Sequence, residues 1–465
     1  MTERPMTLGD LRRSGYEPRS VKEEIRANVI ERIRNGLPLV DGMVDYEDSV
    51  LPEVERALLA GHDIVFLGER GQGKSRLIRT LPSLLDEFVP AIEGAELNDD
   101  PLLPLSVVSQ EIVGDLGDST PVRWLGRDER YSEKLATPDT SIADLVGEID
   151  PIKVAQGRYL SDEKTMHFGL VPRTNRGIFA INELPDLPER IQVGLLNLLE
   201  ERDVQVRGYK IRLPMDLLFV ASANPDDYTN RGRLITPLKD RFGSQIRTHY
   251  PRTIEGEITV MRQEAVVAMP DGFVLTMPSF MEEIIATIAA LARRSPSVNQ
   301  RSGVSVRLSV ASYEIVVASA LSRAIRTGTS AVVPRPSDLV SLAPAVSGKI
   351  EIDALEDADE TKVIDRLTAQ AISAVFRGYI DGVDTHAAQI EVEETPFVCS
   401  IDYSDAHYEA QLESYPALRE LAQTLVGVRN QGVIPAAVEF VLEGMHLAKR
   451  LNRSEYDGST TFSGR

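Results

Sequence analysis

Gly68-Glu69-Arg70-Gly71-Gln72-Gly73-Lys74-Ser75 sets the terms for the rest of the chain. An apolar run, Ile64-Val65-Phe66-Leu67, leads into it, and Arg76-Leu77-Ile78-Arg79-Thr80-Leu81 leads out. The spacing G-x-x-x-x-G-K-[ST] between a strand and a helix is that of a phosphate-binding loop. Glycines let the backbone curl so that successive N–H groups point inward at a phosphate chain. The helix opening near Lys74 adds its positive end to the same anion site. Lys74 is expected to reach the β- and γ-phosphates, and the Ser75 hydroxyl to ligate Mg²⁺. A glycine-rich turn that binds nothing would not need every specified position filled. The stretch implies binding of a nucleoside triphosphate.

Composition narrows what else the chain does. At 465 residues it has room for about three domains. A net charge of −20 argues against a nucleic-acid groove as the main surface, though not against a local basic patch. One cysteine, Cys399, excludes an internal disulfide and a Cys-based metal site. The six histidines (62, 167, 249, 386, 407 and 446) show no metal-ligand spacing. No apolar run approaches the roughly 18 residues needed to span a bilayer. Met1-Thr2-Glu3-Arg4-Pro5 lacks the apolar stretch of a signal peptide, so the expected compartment is the cytoplasm.

Residues 1–44 read as an N-terminal helical arm. Ser20 with Glu23 has capping-box spacing, Ile25, Val29 and Ile33 follow on one face, and Gly36 stops the run. A second helix lines up Val50, Val54 and Leu58, and either covers a sheet or lies beside a nucleotide base. The stretch 94–138 is acidic and weakly periodic, with Trp124 as a packing anchor. A short helix follows near 141–146, and 157–171 reads as a polar excursion. Ile178 to Ile181 make a buried-type strand that delivers Asn182 and Glu183 at its C-terminal end, where ligands sit in an open α/β sheet. A helix with Ile191, Leu195, Leu198 and Leu199 comes next, then a hairpin about Gly208. Asp216 to Asn224 is another buried strand, ending on an amide before Pro225. Leu238-Lys239-Asp240-Arg241-Phe242 precedes a last strand over 244–250. From Thr253 the pattern is almost wholly helical, with Ser279 and Glu282 as a cap, Arg307 opening a helix that Gly328 ends, and a polar tail over 452–465 expected to be disordered.

The phosphate loop, the strand ending in Asn182-Glu183, the strand ending in Asn224 and the Lys239–Phe242 turn together resemble the AAA+ ATPases. The hairpin before Asn224 and the wording of the motifs look most like the MoxR and magnesium-chelatase ATPase-subunit branch, over about 45–326. The resemblance implies an α/β fold: a core with a parallel sheet sandwiched by helices (45–252), an all-helical lid (253–350) and a helical C-terminal region (351–465). It implies ATP and Mg²⁺ as ligands, with Glu183 polarising the attacking water. A carboxylate suits that task because the water needs an acceptor in line with the γ-phosphate. Asn224 matches sensor 1, Arg241 the arginine finger that reaches a neighbouring subunit, and Arg307 sensor 2. Arg241 also reads as half of a surface ion pair with Asp240, and Arg307 as a first-turn surface arginine. The implied assembly is a homo-oligomeric ring, hexameric by resemblance, with a von Willebrand factor A domain protein or chelatase subunits as partners.

Two departures from the family pattern matter. Its Walker B aspartate is Asn182 here, which keeps the shape of the side chain but removes a charge beside the ion. The arginine that the family usually carries before the finger turn corresponds to Arg231 or Arg233, or to neither. Three functions therefore stand: an oligomeric ATPase that remodels a partner, a nucleotide-gated scaffold that scarcely hydrolyses ATP because of Asn182, and a nucleic-acid motor that the acidic balance disfavours.

Overall fold

The structure is a computed structural model that describes residues 4–155, 163–200, 203–205, 212–224, 234–299, 303–351, 360–427, 431–456 and 458–465. The chain divides into two compact units, Met1–His249 and Tyr250–Arg465. Arg231, Arg233, Pro225 and the Gly208 turn lie outside the described residues.

The first unit is built on a five-stranded sheet of β1 (Ile64–Leu67), β2 (Tyr131–Leu135), β3 (Gly177–Asn182), β4 (Leu217–Ala223) and β5 (Ser244–Arg247). Its order is β5–β1–β4–β3–β2 and every pairing is parallel. Such a sheet must be covered on both faces, which is why its inner strands read as continuous apolar runs. Alternation along each strand sorts the side chains. Ile64, Phe66, Ile178, Ala180, Leu218 and Val220 face α1 (Val21–Arg34), α2 (Val50–Leu59) and α3 (Lys74–Thr80). Val65, Phe179, Ile181, Phe219 and Ala221 face Ile191, Leu195, Leu198 and Leu199 of α4 (Glu189–Glu200). Each such fully buried aliphatic or aromatic side chain stabilises the fold by roughly 1.5–3 kcal/mol. These two faces, rather than the phosphate loop, hold the sheet together.

The N-terminal arm is not separate from this unit. Ser20 and Glu23 do form the expected capping box, but Val21, Ile25 and Val29 pack in the same core as β1 and β4. Once the helix has an apolar row, the uncovered sheet face is the nearest place to bury it. The weakly periodic stretch also holds more order than its sequence suggests. It contains β2, whose polar sequence Tyr-Ser-Glu-Lys-Leu befits an edge strand. Trp124 is a packing anchor with its indole N–H on the Pro5 carbonyl at 2.9 Å. Residues 203–205 and 212–214 pair antiparallel, as a hairpin there requires.

The second unit is mostly helical. Around Phe440 of one buried helix, Ile434–Leu447, Phe280 stacks at 4.5 Å, and Phe376 and Tyr379 meet it edge-on. Two expectations fail here. The tail is ordered: Asn452–Tyr456 and Ser459–Ser463 join Phe397–Ser400 in an antiparallel sheet, with Phe462 buried opposite Phe397. A single buried aromatic anchors a segment whose composition is otherwise polar, so the region is not wholly helical. Ser279 does not cap its helix. Pro278 precedes the first turn, and Glu282 is buried against Arg262 instead. The helix Arg307–Thr327 is long and apolar enough by composition to cross a membrane, and half of that window is buried inside the unit. Its Arg323 is buried against Asp338 at 2.7 Å, as in the core helix of a folded domain.

Candidate nucleotide site

Because β1, β3 and β4 run in register and in one direction, the residues that follow them gather on one edge. Leu67 lies beside Ala223 and Arg247, and Ala221 beside Ile181. Gly68, Asn182, Glu183, Asn224 and Thr248 therefore meet at the C-terminal edge of the sheet.

The loop is braced from both sides. A side chain at Gly68 would sit 1.9 Å from Thr248 Oγ1 and 2.2 Å from Gln72 Oε1, so any larger residue would displace both of these side chains. Gln72 Oε1 accepts from the Glu69 N–H at 3.1 Å and from Thr248 Oγ1 at 2.9 Å. Gly71 and Gly73 adopt φ of 76° and 74°, the left-handed conformation that turns the loop into α3. Tyr46 donates its hydroxyl to the Gln72 carbonyl and to that of His249 at 3.2 Å. Burial pushes its phenol up to about 12 against the opposing effect of its hydrogen bonds, so it remains a donor at neutral pH. Arg70 lies at the exposed tip of the loop.

Lys74 is only 5% exposed. Its ammonium donates to the carbonyls of Gly68 and Glu69 (2.9 Å) and to Asn224 Oδ1 at 2.8 Å. The other end of the Asn224 amide, Nδ2, donates to Glu183 Oε2 at 3.0 Å. One amide thus joins the ammonium to the carboxylate. Glu183 has φ 54° and ψ 48°, a left-handed backbone that is strained for a residue with a Cβ and clusters at functional sites. Its N–H is held by Ser222 Oγ at 3.1 Å.

Ser75 Oγ donates to Asn182 Oδ1 at 3.3 Å, and Ser222 Oγ reaches the same oxygen at 3.2 Å. A hydroxyl and an amide oxygen are hard oxygen donors of the kind Mg²⁺ takes, so these residues fit the ion. Asn182 Nδ2 donates to Glu133 Oε1 on β2. Glu133 is in turn gripped by Arg79 of α3 through Nε at 2.8 Å and Nη2 at 2.9 Å. Burial raises the Glu133 pKa, but Arg79, Tyr131 and Asn182 outweigh it and hold the carboxyl below its ordinary value.

The structure brings the loop, Ser75, Asn182, Glu183 and Asn224 together. It does not add Arg241. Arg241 ends α5 (Thr236–Arg241), where its guanidinium binds Glu200 at 2.8 and 2.6 Å rather than Asp240. Arg307 opens its helix in the second unit, exposed, with its N–H on Ser305 Oγ at 3.1 Å. Sequence reasoning passed over Ser222, Thr248, Tyr46 and Glu133. Ser222 had a signal, being the polar residue inside an apolar strand. The others had none, because each reaches the site from a distant part of the chain: Tyr46 and Thr248 meet the loop, and Glu133 meets Asn182.

Residues 125–242 match the family described as AAA domain (dynein-related subfamily). That span takes in β2 to α5 and begins after the phosphate loop, whose identification stands on its spacing and geometry. The chain is 29% identical over 212 residues to the magnesium-chelatase 38 kDa subunit of Rhodobacter capsulatus, covering 43% of this chain and 52% of that one. It is 31% identical over 214 residues to the 38 kDa subunit of Cereibacter sphaeroides, covering 45% and 58%. With magnesium-chelatase subunit ChlI of Anabaena variabilis it shares 27% over 236 residues, covering 50% and 64%. The chain thus spans between about half and two thirds of these relatives' length. Among solved structures it is similar to the complex between subunits BchI and BchD of magnesium chelatase. The identity there is 24%, over 63% of this chain and 89% of that chain, with a TM-score of 0.32.

Proposed function

We propose that this chain is an AAA+ ATPase of the MoxR and magnesium-chelatase branch that hydrolyses ATP at subunit interfaces to remodel a partner protein or a chelatase complex, a reading supported by the family match over 125–242 and by the chelatase relatives. The observation that carries the reading is the Asn224 amide, which spans Lys74 Nζ and Glu183 Oε2. In this reading the loop N–H groups and Lys74 hold the phosphate chain, Ser75 and Asn182 face the cation, and Glu183 orients the attacking water. Mg²⁺, when bound, would draw charge from the β- and γ-phosphate oxygens. Asn224 restrains Glu183 from one side and Ser222 fixes its backbone from the other, so the carboxylate is aimed before substrate arrives. Arg241 acts in trans, exchanging Glu200 for the phosphate of the adjoining subunit.

Steady-state hydrolysis by Glu183→Gln tests the reading. The expected result is a fall of roughly 10²-fold or more with nucleotide affinity retained. A slow background that the substitution leaves unchanged would favour the scaffold instead. Mixing Arg241→Ala subunits with Glu183→Gln subunits is expected to restore hydrolysis above the sum of the two. Recovery no greater than that sum would remove the role in trans.

A further inference from the structure

An amide in the Walker B position has a weakness that a carboxylate lacks. Either its oxygen or its NH₂ can be turned toward a neighbour, and an NH₂ turned toward a cation opposes binding. Something must select the oxygen, and the neighbours of Asn182 do not all do so. The hydroxyls of Ser75 and Ser222 can each donate or accept, so by themselves they allow either orientation. Glu133 cannot, since an ionised carboxylate only accepts. Its Oε1 takes the Asn182 Nδ2 and leaves Oδ1 pointing at Ser75.

The placement follows from the fold. In β3, Ile178 and Ala180 face the helices that include α3, and alternation puts Asn182 on that side. In β2, Tyr131 packs against the same core, so Glu133 shares its face. Ser75 and Arg79 are one turn apart on α3 and therefore point the same way. Ser75 meets Asn182 and Arg79 meets Glu133, which closes a ring of side chains between α3 and the sheet edge. Glu133 is 18% exposed and Asn182 6% exposed, so the bond between them lies in a partly desolvated position.

We infer that Glu133 is a positioning residue for Mg²⁺: by accepting from Asn182 Nδ2 it holds the amide oxygen toward the ion beside Ser75. The inference rests on the ATPase reading above. Its rival is a purely structural role, in which Glu133 only ties β2 to α3 through Arg79.

The test is a Mg²⁺ titration of the full chain binding a fluorescent non-hydrolysable ATP analogue, with a parallel measurement in EDTA. Glu133→Gln is expected to raise the Mg²⁺ concentration at half-saturation by roughly tenfold, with affinity in EDTA unchanged. In an Asn182→Asp background the same substitution is expected to cause no rise, because a carboxylate needs no orienting and two adjacent carboxylates repel. Arg79→Met, which breaks the structural tie and leaves the Glu133 carboxylate in place, is expected to leave half-saturation unchanged or lower it. An equal rise in both backgrounds, no rise in the parent, or a rise with Arg79→Met would each overturn the inference. Should Glu133→Gln not fold, Glu133→Asp takes its place in both backgrounds, since it withdraws the acceptor by one methylene and carries the same expected signs. A parent chain that binds no analogue with or without Mg²⁺ would overturn the ATPase reading as well, whereas normal Mg²⁺-dependent binding insensitive to Glu133 overturns this inference alone.

Discussion

Both ends of the parallel sheet bury polar side chains, and they treat them in opposite ways. Residues that immediately precede a strand collect on one edge: Asp63, Arg130, Arg176 and Asp216. Each is closed onto a partner. Asp63 holds Lys22 at 3.0 Å, Arg130 grips Glu24 at 2.6 and 2.8 Å, Arg176 meets Asp100 at 3.0 Å, and Asp216 accepts the Val21 N–H at 2.8 Å. The partners Val21, Lys22 and Glu24 belong to the first turn of α1, so this edge fastens the N-terminal segment to the sheet. At the other edge, apart from Glu133 with the exposed Arg79, the polar groups are linked through single amides, Asn182 and Asn224, that stand between groups of different charge. Paired ions close off an edge. Amides that connect an ammonium to a carboxylate, or a hydroxyl to a carboxylate, leave donors and acceptors arranged for a ligand to engage.

That contrast makes opposite demands on substitution at the two edges. Lys74→Ala should produce the largest effect, a loss of nucleotide affinity from the micromolar to the millimolar range or beyond, about 4 kcal/mol. Its melting temperature should hardly move, because the ammonium is bound by loop carbonyls and an amide rather than by the core. Calorimetric titration with ATP checks both, and micromolar binding retained by the variant would remove Lys74 from the site. Glu24→Ala should do the reverse. Arg130 is 1% exposed, and without its carboxylate the buried guanidinium should cost about 3–5 kcal/mol of stability. Analogue affinity of the folded fraction should be unchanged. Replacing both partners, Glu24→Met with Arg130→Met, should recover most of the loss, since no buried charge is then left unmatched. A Glu24→Ala protein that melts normally but binds ATP poorly would erase the distinction between the edges.

The ligand edge was the more legible of the two. A phosphate loop announces itself because glycine, lysine and serine must stand at fixed offsets, and Glu183 and Asn224 end strands that read as apolar runs. The other edge is written in single charged residues, such as Arg130 and Asp216, whose partners lie about a hundred or more positions away; nothing local marks them. The same reason hides Glu133. It sits on an edge strand with little apolar content, and only the pairing of β2 with β3 brings it to Asn182. Residues 1–44 read as an arm because helical periodicity reveals a face and not what covers it. The tail over 452–465 misled for a related reason, as one buried Phe462 outweighs a run of serine and threonine.

Asp216 offers the finest test of the closed edge, because there pairing and burial pull in opposite directions. Burial raises its pKa, the Val21 N–H and the guanidinium groups of Arg176 and Arg130 lower it, and Glu24 raises it again; the net direction is above the ordinary 3.8. A carboxyl whose folded pKa exceeds its unfolded one binds its proton more tightly in the folded state. Stability therefore falls as pH rises from about 3.8 through the folded value, and is level once the group is ionised in both states. Asp216→Asn keeps an oxygen for the Val21 N–H and removes the charge. The variant and parent should unfold alike near pH 4, and the variant should become the more stable toward neutrality, with a gain in melting temperature of roughly 2–4 °C. Urea unfolding of both chains from pH 4 to pH 8 checks the sign. A variant less stable than the parent at pH 7 would mean that Arg176 and Arg130 win over burial, and that Asp216 belongs among the charges this edge needs rather than those it tolerates.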